Sequence, residues 1–233
     1  MKQYLAIDIG ASSGRHIVGR LEGGKLVTEE VYRFPNGAKT ENGHLVWDVQ
    51  RLLEEVRRGM RAAAEKCGKI DSFSVDTWAA DYVLTEGDGG ILPCYAYRDG
   101  RTATAVEEVH KILPFAELYA RTGIQFQPFN TIYQLFADKT AGRLERTDGF
   151  LMLPEYLLYK LTGRRACEYT NATSTGLVNA KTHAFDADIV SALGLPARLF
   201  EKEILQPCAE VGALLPEVAA EVGCAMRAVL CAT

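Results

Sequence analysis

Asp8-Ile9-Gly10-Ala11-Ser12-Ser13-Gly14-Arg15 joins the end of one apolar run, Tyr4 to Ile9, to the start of another, Arg15 to Leu21. Two strand-like runs separated by a turn of small residues read as a β-hairpin. A second turn, Glu22-Gly23-Gly24-Lys25, leads to a third strand from Leu26 to about Arg33, so the chain opens as a three-strand meander. The first turn carries chemistry as well as shape. Its backbone N–H groups can converge on phosphate oxygens, while the hydroxyls of Ser12 and Ser13 and the guanidinium of Arg15 add donors. A Gly/Ser turn can equally do nothing but reverse the chain. Asp8 favours the functional use, because a carboxylate at the end of a buried strand, facing a phosphate loop, is placed to hold a magnesium ion through water. No G-x-x-x-x-G-K-[ST] loop occurs, and Ser12 and Arg15 stand where a dinucleotide fingerprint needs glycine.

Beyond the meander, Asp48 can cap a helix in which Val49, Leu52, Leu53, Val56 and Met60 recur at helical spacing, through Lys66. Strands are expected at Ile70 to Val75 and Asp81 to Thr85, with Gly87-Asp88-Gly89-Gly90 as the turn that follows. From Thr102 to Leu161 the pattern is mainly helical, broken by Pro114, Pro128 and Pro154, and Gly163 closes the last of these helices. The remainder gives an irregular polar segment around Asn171 to Thr175, a helix near Asp186 to Leu193, another from Pro216, and an apolar strand from Ala228 to Cys231. The sequence ends at Thr233, directly on that strand, which predicts a continuation beyond it.

With 233 residues, 48% of them apolar, the chain can bury a sizeable core. Its 30 acidic and 26 basic residues are mixed along the sequence, so no basic stripe exists to track a nucleic-acid backbone. The apolar start ends at Asp8, too soon for a signal-peptide core, and no run approaches the roughly 20 apolar residues of a membrane helix. A cytoplasmic protein is expected. Six cysteines without any C-x-x-C spacing, and four histidines far from them, argue for reduced, mostly buried thiols and against a zinc site.

A second constellation, Asp76-Thr77-Trp78-Ala79-Ala80-Asp81, places carboxylates, a hydroxyl and an indole at a strand end. Sugars need this mixture, since carboxylates accept from vicinal hydroxyls while an aromatic face covers C–H groups. The same residues also fit a core tryptophan with a capping aspartate. Tyr97, Arg98 and Asp99 follow an apolar run, and Arg98 and Asp99 can also simply pair on the surface. Phe129, Asn130 and Thr131 follow Pro128 where a helix should begin, a position whose free N–H groups suit oxygen ligands. Asn171, Thr173 and Ser174 read as turn formers.

D-I-G-A-S-S-G-R at Asp8 to Arg15 resembles the phosphate motif of the actin, hexokinase and sugar-kinase superfamily. Four further segments extend the resemblance: V-D-T-W-A-A-D-Y-V-L at Val75 to Leu84, A-Y-R-D-G-R-T at Ala96 to Thr102, T-G-I-Q-F-Q-P-F-N-T-I-Y-Q-L at Thr122 to Leu135, and L-P-E-Y-L-L-Y-K-L-T-G with E-Y-T-N-A-T-S-T between Leu153 and Thr175. Together they span nearly the whole chain and are similar to the FGGY carbohydrate kinases and, within them, to the rhamnulokinases. The resemblance implies an actin-like, ribonuclease H-like α/β domain, a mixed sheet flanked by helices, with residues 1–233 as the first of a sugar kinase's two domains. It implies transfer of the γ-phosphoryl group of ATP, with magnesium, to the 1-hydroxyl of L-rhamnulose or a related deoxyketose. By the same resemblance Ala11, Ser12, Ser13, Gly14 and Arg15 bind the ATP phosphates and Asp8 holds the metal through water. Asp76, Thr77, Trp78, Ala79, Tyr97 and Phe129 meet the sugar.

One position departs from the family pattern: Ala79 stands where the rhamnulokinases usually have glycine, and a β-methyl costs affinity or shifts preference if the site needs positive φ or close approach. The resemblance also puts the catalytic base in a His-Asp-Thr segment just after a strand like Ala228 to Thr233. Base and adenine-binding domain are therefore expected beyond Thr233, and the chain alone is expected to be inactive. The alternative is a non-catalytic sugar- or nucleotide-binding remnant of an interrupted gene.

Overall fold

The structure, a computed structural model, describes residues 1–232, so Thr233 and the expected continuation lie outside the described residues. Strand β1, Gln3–Ile9, buries Leu5, Ile7 and Ile9 at every second position, which is the period of a strand with one face on a core. Strands β2, Ser13–Glu22, and β3, Lys25–Pro35, complete the expected meander with antiparallel pairing. A small hairpin then intervenes that the sequence did not announce, β4, Lys39–Glu41, and β5, His44–Trp47. All three residues of β4 are exposed, so it shows no alternation to read.

Helix α1, Val49–Cys67, starts where Asp48 Oδ1 accepts from the Arg51 amide at 3.0 Å, and it buries Val49, Leu52, Leu53, Val56, Met60 and Ala63. It lies close on the meander. A Cβ at Gly59 would come within 2.3 Å of the His16 ring, so this glycine sets the helix-to-sheet distance. Burial pushes His16 down to about 4, leaving it neutral at pH 7 with Nε2 3.1 Å from the Val56 carbonyl.

Strand β6, Ser72–Asp76, returns parallel to β1. Strands β7, Tyr82–Glu86, and β8, Gly89–Ile91, form a hairpin, so Gly89 and Gly90 belong to a strand and the turn is narrower than expected. Strand β9, Cys94–Tyr95, pairs with β5. The helical stretch holds α2, Ala103–Ile112, α3, Phe115–Thr122, and α4, Thr131–Thr140. Strand β10, Gly149–Met152, then pairs with β7 before α5, Leu153–Thr162, which Gly163 ends at φ 70°.

The segment expected to be irregular is a short helix, α6, Tyr169–Ser174. Its polar residues suit a turn, yet the Glu168 carboxylate accepts from the Asn171 amide at 2.8 Å and starts a helical one. Helix α7, Ala187–Ala192, is capped by Asp186, and β11, Glu210–Ala213, α8, Pro216–Val222, and β12, Arg227–Val229, follow.

The main sheet runs β11-β12-β6-β1-β2-β3, with β12, β6 and β1 mutually parallel, β11 and β2 antiparallel to them, and β3 antiparallel to β2. It is the expected mixed sheet, and α1, α5 and α8 pack against it. A second core, built on Tyr82, Ile132, Tyr133, Leu135 and Phe150, supports the helical region. Strand β7 serves both cores, Val83 in the first and Tyr82 and Leu84 in the second, and the segment between β6 and β7 leads into it. That juncture holds the candidate site.

Candidate functional site

Parallel pairing of β1 and β6 brings Asp8 opposite Asp76, so two carboxylates leave the sheet side by side at the strands' carboxyl ends. Asp76 is half-buried and its Oδ1 has no hydrogen-bond partner. Burial raises its pKa, and the charge of Asp8 raises it further. Both effects report an acidic pair short of positive charge on the Asp76 side. Asp8 has a partner: Arg15 donates to its Oδ2 through Nε at 2.8 Å and Nη2 at 2.7 Å, both side chains being nearly half exposed.

The hairpin between β1 and β2 is fixed by a residue that sequence reading passed over. Asn36 donates its side-chain amide to the Gly10 carbonyl at 2.8 Å and its backbone N–H to the Ser12 carbonyl at 2.9 Å. Gly10 in turn donates to Ser13 O at 2.8 Å. Ser12 is exposed at the tip, with Ala11 and Ser13 beside it. Gly14 has a packing reason to be glycine, since a Cβ would meet the Phe34 ring at 2.2 Å. The one sequence cue for Asn36 was its place in Pro35-Asn36-Gly37, a turn triplet.

The aromatic half of the site is organised by a single buried carboxylate. Asp81 is fully buried, and its Oδ2 accepts from Trp47 Nε1 at 2.6 Å, Trp78 Nε1 at 2.7 Å and the Tyr97 amide at 3.1 Å. Its Oδ1 accepts from Gln134 Nε2 at 3.2 Å. The Trp47 and Trp78 rings lie 4.1 Å apart, and Tyr97 meets Phe129 edge to face at 5.3 Å. Burial pushes Asp81 up to about 6 against the opposing pull of these donors. Trp78, Tyr97 and Phe129 come from three distant segments and leave half-exposed aromatic surface together. Cavities of about 280, 330 and 520 Å³ are lined by other residues than Asp8, Asp76, Trp78, Tyr97 and Phe129.

Several expected details are placed differently. Positive φ falls on Ala80, at 75°, and not on Ala79, so the backbone conformation that would prefer glycine is one residue later than the family pattern suggested. Arg98 and Asp99 do not pair. Asp99 accepts instead from the Leu45 amide at 2.7 Å, His44 Nδ1 at 3.0 Å and the Arg101 amide at 3.0 Å, while Arg98 lies over the Tyr97 ring. Thr77 turns its hydroxyl to the Trp78 carbonyl at 3.1 Å. Asn171 and Ser174 are part of α6, with Ser174 Oγ donating to Asn171 O at 2.6 Å.

Asp8 and Asp76 are hard oxygen donors, and the buried Asp76 Oδ1 has no hydrogen-bond partner, which fits a magnesium ion that keeps most of its own waters. No cluster of three or more His, Cys, Asp or Glu side chains suited to a metal occurs among the described residues. None of their helices is long and apolar enough to cross a membrane.

A mixed sheet with two carboxylates at the ends of neighbouring parallel strands, a braced Gly/Ser hairpin between strands and an aromatic face beside them define the actin-like class of α/β domain. Residues 3–232 match the N-terminal domain of the FGGY family of carbohydrate kinases, and the chain belongs to that family. It is 44% identical over 232 residues to the rhamnulokinase of Oceanobacillus iheyensis, covering 98% of this chain and 49% of that protein. With the rhamnulokinase of Bacillus subtilis it shares 40% identity, covering 92% of this chain and 44% of that one. The chain thus spans about half the length of the curated relatives it matches. Among solved structures it superposes on a xylulose kinase from Rhodospirillum rubrum with a TM-score of 0.87, at 19% identity over 99% of this chain and 49% of that one. A glycerol kinase from Plasmodium falciparum, solved with ADP, gives 0.80 at 14% identity over 100% of this chain and 48% of that one. At such identities the two superpositions establish the fold.

Proposed function

We propose that this chain supplies the phosphate hairpin and the sugar-binding face of an ATP-dependent kinase that phosphorylates L-rhamnulose, or a related deoxyketose, at its 1-hydroxyl. The observation that carries the reading is the Asp8–Asp76 pair, one carboxylate oxygen unpartnered, between the braced hairpin and the aromatic face of Trp78, Tyr97 and Phe129. The rhamnulokinases among its relatives support the choice of a rhamnulose-type ketose as the sugar.

In this reading Ala11 to Gly14 offer backbone and hydroxyl donors to the ATP phosphates, and Arg15 exchanges Asp8 for a phosphate oxygen when nucleotide arrives. Asp8 and Asp76 hold magnesium through its waters; the ion supplies charge stabilisation for the transferring group. Asp76 therefore moves from the sugar set to the metal side, while Thr77, Trp78, Ala79, Tyr97 and Phe129 face the ketose. Asp81 is unsuited to serve as general base, because four donors occupy its oxygens and the whole carboxylate is buried. The base and the adenine-binding domain are assigned to sequence beyond Thr233.

The test is tryptophan fluorescence and calorimetry on the chain with L-rhamnulose, L-fuculose and D-xylulose, paired with an ADP-release assay. L-rhamnulose should bind most tightly, at millimolar concentration, with no turnover above background. Equal responses to all three sugars, or none, would remove the sugar assignment. Turnover comparable to that of a protein extended by the second domain would place the base within this chain.

A further inference from the structure

Gln134 lies in the N-T-I-Y-Q-L stretch that the sequence flagged without giving it a role, and it is almost fully buried. Its Nε2 donates toward three acceptors on two different loops: the Ala80 carbonyl at 3.2 Å, Asp81 Oδ1 at 3.2 Å and the Phe129 carbonyl at 3.0 Å. Two N–H groups serve three acceptors, so one hydrogen is shared. The orientation of the amide is dictated from its other end. Arg101 Nη2 donates to Gln134 Oε1 at 3.1 Å, and a flipped amide would set donor against donor there and oxygen against three oxygens.

Arg101 is itself immobilised. Its guanidinium lies 4.2 Å from the Tyr95 ring centroid and donates through Nη1 to Asp138 at 2.7 Å. Asp138 is fully buried and also accepts from Arg143 at 2.6 Å and from the Tyr82 hydroxyl at 2.5 Å. A chain of fixed polarity therefore runs from Asp138 through Arg101 to Gln134. At its end the Ala80 carbonyl takes a second bond, from Thr131 Oγ1 at 2.9 Å. Ala80 is the non-glycine residue at φ 75°, and two donors on its carbonyl explain how that conformation is held.

We propose that Gln134 is a positioning residue that clamps the Trp78–Asp81 loop to the Phe129 loop, so that one oriented amide sets the spacing of the aromatic face. The clamp is a statement about two loops; that the face it spaces binds a ketose rests on the function proposed above.

The experiment uses the whole chain with three changes: Gln134→Glu, which keeps the acceptor for Arg101 but turns an oxygen toward three oxygens; Gln134→Met, which conserves volume and removes the bonds; and Gln134→Met combined with Ala80→Gly. Amide hydrogen exchange is read segment by segment, together with L-rhamnulose affinity by calorimetry. Both single variants should lose about tenfold or more in protection at residues 78–81 and 123–131 together, with α1 and the meander unchanged. Glycine adopts positive φ unaided, so the double variant should regain protection at 78–81 alone. Ketose affinity should fall about tenfold in step with the loops. Unchanged exchange at either loop, uniform loosening of the whole chain, or no selective rescue by Ala80→Gly overturns the clamp. If the loops respond as expected while the unsubstituted chain binds no ketose, the clamp stands and the sugar assignment falls.

Discussion

Asp76 and Asp81 flank the same short loop and have opposite fates. Asp76 is half-buried beside another carboxylate with one oxygen unpartnered. Asp81 is fully buried, with no ion-pair partner among its contacts, and is surrounded by four neutral N–H donors. The unsatisfied group is beside the hairpin, where the function proposed above puts a metal; the satisfied one is scaffold for the aromatic side. Burial raises the pKa of both, so the titration shift alone does not separate a ligand-binding carboxylate from a structural one. Hydrogen-bond satisfaction does.

If Asp81 is scaffold, removing it should hurt stability most. Asp81→Ala leaves two indole N–H groups, the Tyr97 amide and Gln134 without their acceptor, and orphaned buried donors cost about 1–3 kcal/mol each before relaxation. A loss of roughly 4 kcal/mol is expected, read by urea unfolding at pH 7, with the Trp47 and Trp78 emission shifted in the remaining native state. A loss under about 1 kcal/mol would mean that the network does not hold the site.

The pH dependence gives the next largest effect and a definite sign. Asp81 is raised from 3.8 to about 6, so the folded state holds its proton more tightly than the unfolded one. Its contribution is greatest below the unfolded value and is lost as pH rises through about 6; the gap amounts to at most about 3 kcal/mol. Glu155, pushed up to about 7 by burial, acts in the same direction over a slightly higher window. His16, held down to about 4, acts oppositely, its stability being lost as pH falls from 6.5. Asp81→Asn isolates the first of these. The native chain should gain on that variant between pH 6 and 4, and a difference independent of pH in urea titrations would show that Asp81 does not titrate there.

Much of this contrast was invisible in the sequence. The meander, α1 and its Asp48 cap were legible because local chemistry and burial period agree there. The Asp8 to Arg15 motif located the hairpin between β1 and β2, and the segments of Trp78, Tyr97 and Phe129 did converge. What could not be read were long-range partners. Gln134 lies 53 positions from Asp81, and Asp138 lies 37 from Arg101, so neither pairing leaves a local pattern. Strands β4, β8 and β9, at three residues or fewer, are too short for period-two burial to register.

The strain at Ala80 sharpens the comparison from the scaffold side. Alanine at positive φ costs about 1–2 kcal/mol, and glycine recovers part of this while losing roughly 0.5–1 kcal/mol to chain entropy. Ala80→Gly should therefore stabilise the chain by less than about 1 kcal/mol, seen as a small rise in melting temperature. Ala79→Gly, at a position without positive φ, should not raise it. The reverse order would show that the family's usual glycine at 79 answers a backbone need.

Asp76→Asn is expected to change stability least and ligand response most. The carboxylate has an unpartnered oxygen and a like charge opposite it on β1, so a neutral amide of the same shape removes repulsion without breaking a network. The change in unfolding free energy should stay within about 1 kcal/mol and lean toward stabilisation. Magnesium is another matter, because the amide halves the anionic charge available to the ion, and hard cations depend on that charge. The native chain should melt higher with ATP and magnesium than with ATP and a chelator, and in the variant that difference should vanish. Arg15 provides an internal control: Arg15→Gln frees Asp8 of its ion pair and should strengthen the magnesium response in the absence of nucleotide. A variant at Asp76 that is markedly destabilised, yet keeps its magnesium response, would make Asp76 a scaffold carboxylate like Asp81, and the division of labour between the two would be gone.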